Sequence, residues 1–259
     1  MTAERNFRQE RLVYILRELD EKQCVRISNL ARNLHVSEVT VRQDLTLLEG
    51  EGLIRRVHGG AVKAGDSIYR KDTRETVYRD AAAKIAIARR AYRELRAHET
   101  VMIDDSSTCL YLVQLIKEEE GLPLTVITNS VIAAGELMNL EHVRLFMIGG
   151  EVFGNLAATA GETGEREVLE YHADVLFMGA NGVDVEAGIT VIGYPQMMIK
   201  KAMRKCADRT VLLADGGKFG EKYLSEVCAL SMVDMVITDG GADRAYCSRM
   251  RELVPVVIS

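Results

Sequence analysis

Seven short apolar runs punctuate residues 100–259, and helix-patterned segments separate them. The runs are Val101–Asp104, Leu124–Thr128, Val143–Ile148, Asp174–Met178, Thr210–Ala214, Asp234–Thr238 and Val254–Ile258. Segments 108–119, 130–139, 164–172 and 196–207 carry helical patterns. Strand and helix alternating in this way leave few choices. A strand joined to the next through a helix must run parallel to it, so the segment is expected to form a mainly parallel sheet covered by helices on both faces. Ligands of such sheets bind beyond the C-terminal strand ends.

The first 62 residues follow another pattern. Leu12, Ile15, Leu16 and Leu19 make one apolar helical stripe, and Ile27, Leu30, Ala31 and Leu34 make a second, with Ser28 as its expected N-cap. After a break at His35-Val36, Ser37 is placed to cap a third helix burying Val41, Leu45 and Leu48. Gly50 and Gly52 are expected to end it. Two short helices with a tight link read as a helix-turn-helix. Val39, Gln43 and Thr46 then point away from the core, with Arg42 beside them. These side chains match base edges, and Ser37 and Thr40 sit where phosphate contacts anchor such a helix. Residues 53–61 (LIRRVHGGA) read as an apolar-basic strand, a Gly59-Gly60 turn and a return strand. In that small wing Arg55, Arg56 and His58 are placed to reach backbone phosphates or a minor groove, with Gly59 at the turn expected beside the same nucleic acid. On spacing alone the same helices also fit a protein-docking module.

Charge supports a two-part chain. The net charge of −5 argues against a nucleic-acid binder when taken whole. Residues 1–63, however, hold 11 Lys/Arg against 9 Asp/Glu, and the remainder holds 22 against 29. The reading is a domain over 1–62, a linker over 63–79 and a second domain over 80–259. An Ala-rich helix is expected from Asp80 to Arg96, its basic residues read as a solvated face. Five widely spaced cysteines without a CxxC, and five His without metal-ligand spacing, imply reduced thiols and no metal site. Neither a signal peptide nor an apolar membrane span is visible, so a cytoplasmic chain is expected.

The strand ends of the second domain collect polar residues. They are Asp104, Asp105, Ser106, Ser107 and Thr108; then Thr128, Asn129 and Ser130; then Gly149 and Gly150; then Gly179 to Asp184; and finally Asp215 to Gly220 with Lys218. Hydroxyl residues at helix starts and a lysine in a Gly-rich loop suit an anion. Asp104, Asn129 and Asp184 suit sugar hydroxyls. Together they point to a small phosphorylated polyol, although each loop alone also reads as ordinary capping. No GxGxxG with an acidic partner and no GxxxxGK[ST] occurs. A sugar-phosphate isomerase is the rival reading, with Asp104, Asp105 or Asp184 as base. It leaves the first 60 residues without a role and finds no His in these loops.

Both halves resemble the DeoR family of bacterial regulators. In the head the resemblance rests on Ser37 to Leu45 (SEVTVRQDL), Leu48, Gly52 and Arg55 to Ala61 (RRVHGGA). In the body it rests on Asp104 to Thr108, Thr128-Asn129, Gly149-Gly150, Gly179 to Asp184, Gly188 to Thr190 and Leu213 to Gly220. The resemblance implies a winged helix-turn-helix joined to a sensor domain similar in fold to ribose-5-phosphate isomerase and CoA transferases. It implies a repressor of a carbohydrate-catabolism operon rather than an enzyme. The implied partners are double-stranded operator DNA, a phosphorylated sugar and further copies of the chain, with no cofactor. The chain departs from the family pattern at several positions. Gln43 stands where Arg is commoner, Asp105 where Ser or Ala is usual, and Ser106 where Gly is usual. Val191 to Met198 replaces a polar, acidic stretch, and Gly216-Gly217 precede Lys218 where Ser is common. All but Gln43 lie in or beside the expected pocket, and they imply an unusual effector or an altered response.

Overall fold

The computed structural model describes residues 8, 11–19, 24–50, 53–57, 59–63, 79–119, 121–153 and 157–259. His58, the Arg55 side chain and nearly all of the expected linker (64–78) lie outside the described residues. The chain divides into two compact units, Met1–Ala81 and Ala82–Ser259.

In the first unit, helix α1 covers 11–19, and strand β1 (Cys24–Arg26) leads straight into α2 (Ile27–Asn33). Helix α3 (Glu38–Gly50) follows, then β2 (Ile54–Val57) and β3 (Gly60–Lys63). The strands form an antiparallel sheet in the order β1-β3-β2. Leu12, Ile15, Leu19, Leu30, Val41, Leu45 and Leu48 pack with Ile54 and Ala61 in one core, so the three apolar stripes meet as their periodicity requires.

Two glycines make the wing possible. Gly59 has φ +78, which a side chain disfavours. A Cβ on Gly60 would lie 1.9 Å from the Val25 carbonyl oxygen, so only glycine lets β1 and β3 pair. That pairing corrects the expected cap of α2. The helix starts at Ile27, whose N–H donates to the Gly59 carbonyl (3.0 Å), and Ser28 is an exposed residue inside the helix. Strand β1, which holds Arg26 extended, was not anticipated from the sequence.

In the second unit, α4 (Ala81–Tyr92) precedes a seven-stranded sheet. It ends before the expected Arg96, because the chain turns at 93–98 to enter the sheet. There His98 takes φ +69 and donates its N–H to the Pro123 carbonyl. Lys84 departs from the expected solvated face and is buried. The sheet strands are β4 (Thr100–Ile103), β5 (Leu124–Thr128), β6 (Val143–Met147), β9 (Ala173–Gly179), β12 (Ala207–Leu213), β14 (Met235–Thr238) and β15 (Val256–Ile258). All seven expected strands are present, and every pairing among them is parallel. The order is β15-β14-β12-β9-β4-β5-β6. The chain builds outward from β4 in one direction and from β9 in the other, so the order reverses between β4 and β9. Open parallel sheets bind ligands at such a reversal.

Helices α5 (Ser107–Glu118), α6 (Val131–Leu137), α7 (Glu162–Val168) and α8 (Tyr194–Lys205) fall where helical patterns were read. Three features were not anticipated. They are the hairpin β7 (Glu151–Phe153) with β8 (Ala158–Ala160), the antiparallel sheet of β10 (Gly182–Asp184), β11 (Gly188–Val191) and β13 (Ser225–Cys228), and α9 (Arg244–Arg251).

Candidate DNA-reading face and effector site

In the head, Ser37 caps α3: the Thr40 N–H donates to its hydroxyl (3.1 Å), and the two hydroxyls lie 2.9 Å apart. Val39, Arg42, Gln43 and Thr46 are exposed, and Val39 keeps 60% of its surface in solvent. The Arg42 guanidinium pairs with Glu38 one turn earlier (2.7 Å). The Thr46 hydroxyl donates to the Arg42 carbonyl and accepts from the Arg56 guanidinium (3.0 Å). The Arg56 N–H donates to Glu49 (2.8 Å). The wing therefore lays a cation along the outward face of α3, and Arg42, Thr46 and Arg56 form one connected set. On the opposite face Asp44 is fully buried, its two oxygens accepting from Nε and Nη2 of Arg11 (2.7 and 3.1 Å), with Arg8 at 3.6 Å.

In the second unit, the reversal between β4 and β9 is bridged by Asp104, which is wholly buried. Its Oδ1 accepts the Ser106 N–H (2.9 Å) and its Oδ2 the Gly179 N–H (2.8 Å), which ties the ends of the two strands together. The Lys200 ammonium, 1% exposed on α8, donates to the same Oδ2 and lies 3.3 Å from Asp105 Oδ1. Burial alone would lower the Lys200 pKa, but the two carboxylates outweigh it and drive the pKa upward, so this ammonium stays charged. Gln196, one turn earlier on α8, donates to Asp105 Oδ2 (2.9 Å).

Ser106 caps α5 by accepting the Cys109 N–H (3.3 Å). The N–H groups of Ser107 and Thr108 make no hydrogen bond among the described residues, as is usual in the first turn of a helix. On β5, Thr128 accepts the Ser130 N–H (3.0 Å) and Ser130 caps α6. Asn129 donates to the Thr159 carbonyl (3.1 Å), which leaves its Oδ1 buried without a hydrogen bond among the described residues. The Gly149 N–H donates to Glu167 (2.7 Å), and Gly150 takes φ +123.

Two expected ligand groups are already engaged. Asp184 accepts from the Glu186 and Ala187 N–H groups, from the Tyr246 hydroxyl (2.9 Å) and from Lys222 (3.2 Å). These donors overcome burial and hold its pKa at about 2. It closes the β10–β11 hairpin. At 216–219 the Gly-rich turn uses its own N–H groups on Asp215, Asp239 and the Gly216 carbonyl, and the Lys218 side chain has no partner among the described residues. Gln196 falls within the 191–198 stretch expected in or beside the pocket, whereas Lys200 is not among the residues expected there, although it lies three residues from buried Met197 and from buried Met203, on one helical stripe.

Two known sequence families match this chain. The DeoR-like helix-turn-helix domain matches residues 11–65 and the DeoR C terminal sensor domain matches residues 79–240. The regulator YulB of Bacillus subtilis, named as uncharacterized, is 34% identical over 95% of this chain and 93% of its own length. The transcriptional regulator GolR of Listeria innocua is 31% identical over 97% of this chain and 98% of its own. A ribose 5-phosphate isomerase of Methanocaldococcus jannaschii is similar at a TM-score of 0.40, with 21% identity over 55% of this chain and 56% of that one, a likeness too weak to bear on function. Among the described residues no helix is long and apolar enough to cross a membrane. Matched over both its parts, the chain belongs to the DeoR family and is a DNA-binding transcriptional regulator, not an enzyme.

Proposed function

We propose that the chain is a cytoplasmic repressor of a carbohydrate-catabolism operon and that a phosphorylated sugar controls its hold on operator DNA. The observation that carries the reading is the start of α5. Beside the strand-order reversal it leaves the Ser107 and Thr108 N–H groups open, and Lys218 is unpaired among the described residues at the end of β12. Phosphate oxygens seek such donors. Related proteins carry names of the same kind, a putative aga operon transcriptional repressor of Escherichia coli O157:H7 and the transcriptional repressor GlcR of Bacillus subtilis.

In this reading residues 1–62 hold DNA, 63–79 link, and 80–259 sense. Val39, Arg42, Gln43 and Thr46 meet base edges, Ser37 and Thr40 meet phosphates, and the wing residues Arg55, Arg56, His58 and Gly59 meet the backbone or a minor groove. The effector acts by binding the DNA-competent and DNA-free forms unequally, and paired half-sites call for two or more copies of the chain. Gel shifts against upstream regions of neighbouring genes, with and without a panel of sugar phosphates, test it. Release of one region by one sugar phosphate is expected. Binding to a region that no sugar phosphate alters would sink the effector reading.

A further inference from the structure

We propose that Asp105 and Asn129 receive a hydrogen-bond-donating group of the effector, a hydroxyl or a protonated amine, and not its phosphate. The inference rests on the reading of these strand ends as the effector site and specifies which chemistry each part of that site takes.

Asp105 and Asn129 are only 2% and 1% exposed, yet Asp105 Oδ1 and Asn129 Oδ1 accept no hydrogen bond among the described residues. Buried acceptors are seldom left so in folded proteins, and exceptions concentrate at functional positions. The two stand on adjacent strand ends. Ile103 pairs with Thr128 as the last pair between β4 and β5, whose strands lie about 4.8 Å apart, so Asn129 follows one residue and Asp105 two residues beyond that pair. Asn129 has one orientation available to it, because its amide nitrogen is committed to the Thr159 carbonyl. What it offers is therefore an acceptor.

Charge points the same way. Asp104 and Asp105 share one ammonium, Lys200, and Asp104 takes its hydrogen bond. Asp105 Oδ1 keeps an ion pair at 3.3 Å without an aligned hydrogen bond, and the other partner of Asp105, Gln196, is neutral. The cluster of Asp104, Asp105 and Lys200 thus carries one carboxylate in excess. A phosphate is repelled there, whereas an O–H or an N–H⁺ finds an acceptor that lacks a hydrogen bond. The phosphate is left to the Ser107 and Thr108 N–H groups and to Lys218.

Calorimetry on the full chain tests this with glucose 6-phosphate, glucosamine 6-phosphate, glucosamine, sorbitol and inorganic phosphate, on the wild type, Asp105→Asn and Asp105→Ser. At least one donor-bearing probe is expected to lose tenfold or more in affinity in both variants, with inorganic phosphate bound no more weakly. Loss confined to the glucosamine pair assigns the group as an amine, and loss shared with sorbitol or glucose 6-phosphate assigns it as a hydroxyl. The inference is overturned if no donor-bearing probe binds the wild type, or if affinities stay within twofold in both variants. If glucosamine or sorbitol loses affinity in the variants while a phosphate group adds nothing to binding, the inference stands and the phosphorylated-effector reading falls.

Discussion

Lys200 donates from α8 to the Asp104 carboxylate at the end of β4, a buried contact spanning 96 residues of sequence. The ammonium is the shared counter-charge of two buried carboxylates, so its removal leaves both without a cation among the described residues. Lys200→Met should lower stability by about 3–5 kcal/mol, because a broken buried pair leaves uncompensated charge. Adding Asp105→Asn should restore part of that loss. Urea denaturation of the two variants reads both effects, and a double variant no more stable than Lys200→Met would show that Asp105 bears none of the imbalance.

Gly179 and Ser106 fit one another across the same strand reversal. A Cβ at Gly179 would fall 2.4 Å from the Ser106 Cβ. Gly179→Ala should destabilise by about 1–3 kcal/mol through overpacking, and Ser106→Gly should relieve most of it. A double-mutant cycle is expected to give coupling of more than about 0.5 kcal/mol. Additive losses would mean that the clash is absorbed elsewhere.

The parts of the fold legible in the sequence were those set by local pattern. Runs such as VMI and LTVIT are buried on both faces and read as parallel strands. The three head stripes read equally well. Elements missed were those whose reason is tertiary. Strand β1 exists because Gly60 admits Val25, and α9 buries only Cys247 and Met250 on a polar helix. Asp104 and Asn129 were found by their place after a strand, but their partners were not, since Lys200 sits on a helix far along the chain. Asp44 carries a signal in the sequence itself: it is three residues from Val41 and four from Leu48, on the buried stripe, where an acid needs a cation.

Gly60→Ala should unseat β1 and with it the wing. With Val25 O only 1.9 Å from the new Cβ, the strands must part, and Ile27 loses its anchor at Gly59. Two compact units predict two responses. Calorimetry should show the head transition lowered or lost and the sensor transition retained, with operator binding abolished. A full-strength gel shift from this variant would count against the wing's part in DNA binding.

Asp184 makes acid stability a property of the β10–β11 hairpin. Its pKa is about 2 in the folded chain against 3.8 ordinarily, so its stabilisation is present in full above pH 3.8 and is lost as the pH falls from there toward 2. The size is at most about 2 kcal/mol. Asp184→Asn should cost up to that amount at neutral pH and flatten the stability profile between pH 4 and 2. Parallel profiles for variant and wild type would place the acid sensitivity in other carboxylates.

Arg42 is held by Glu38 before DNA arrives, and Thr46 links it to Arg56 in the wing. The Glu38 pair is half exposed on both sides, so exchanging it for a base edge costs only a few tenths of a kcal/mol. Arg42→Ala should therefore cost about 1–3 kcal/mol on the operator and blunt preference at one base position per half-site. A backbone contact behaves otherwise: Arg56→Ala should weaken binding to all sequences alike and lower the salt dependence by about one charge. Selection from random duplexes, followed by salt titration, separates the two. A preference logo unchanged by Arg42→Ala would remove it from base reading, and a logo altered by Arg56→Ala would move the wing arginine from the backbone into the groove.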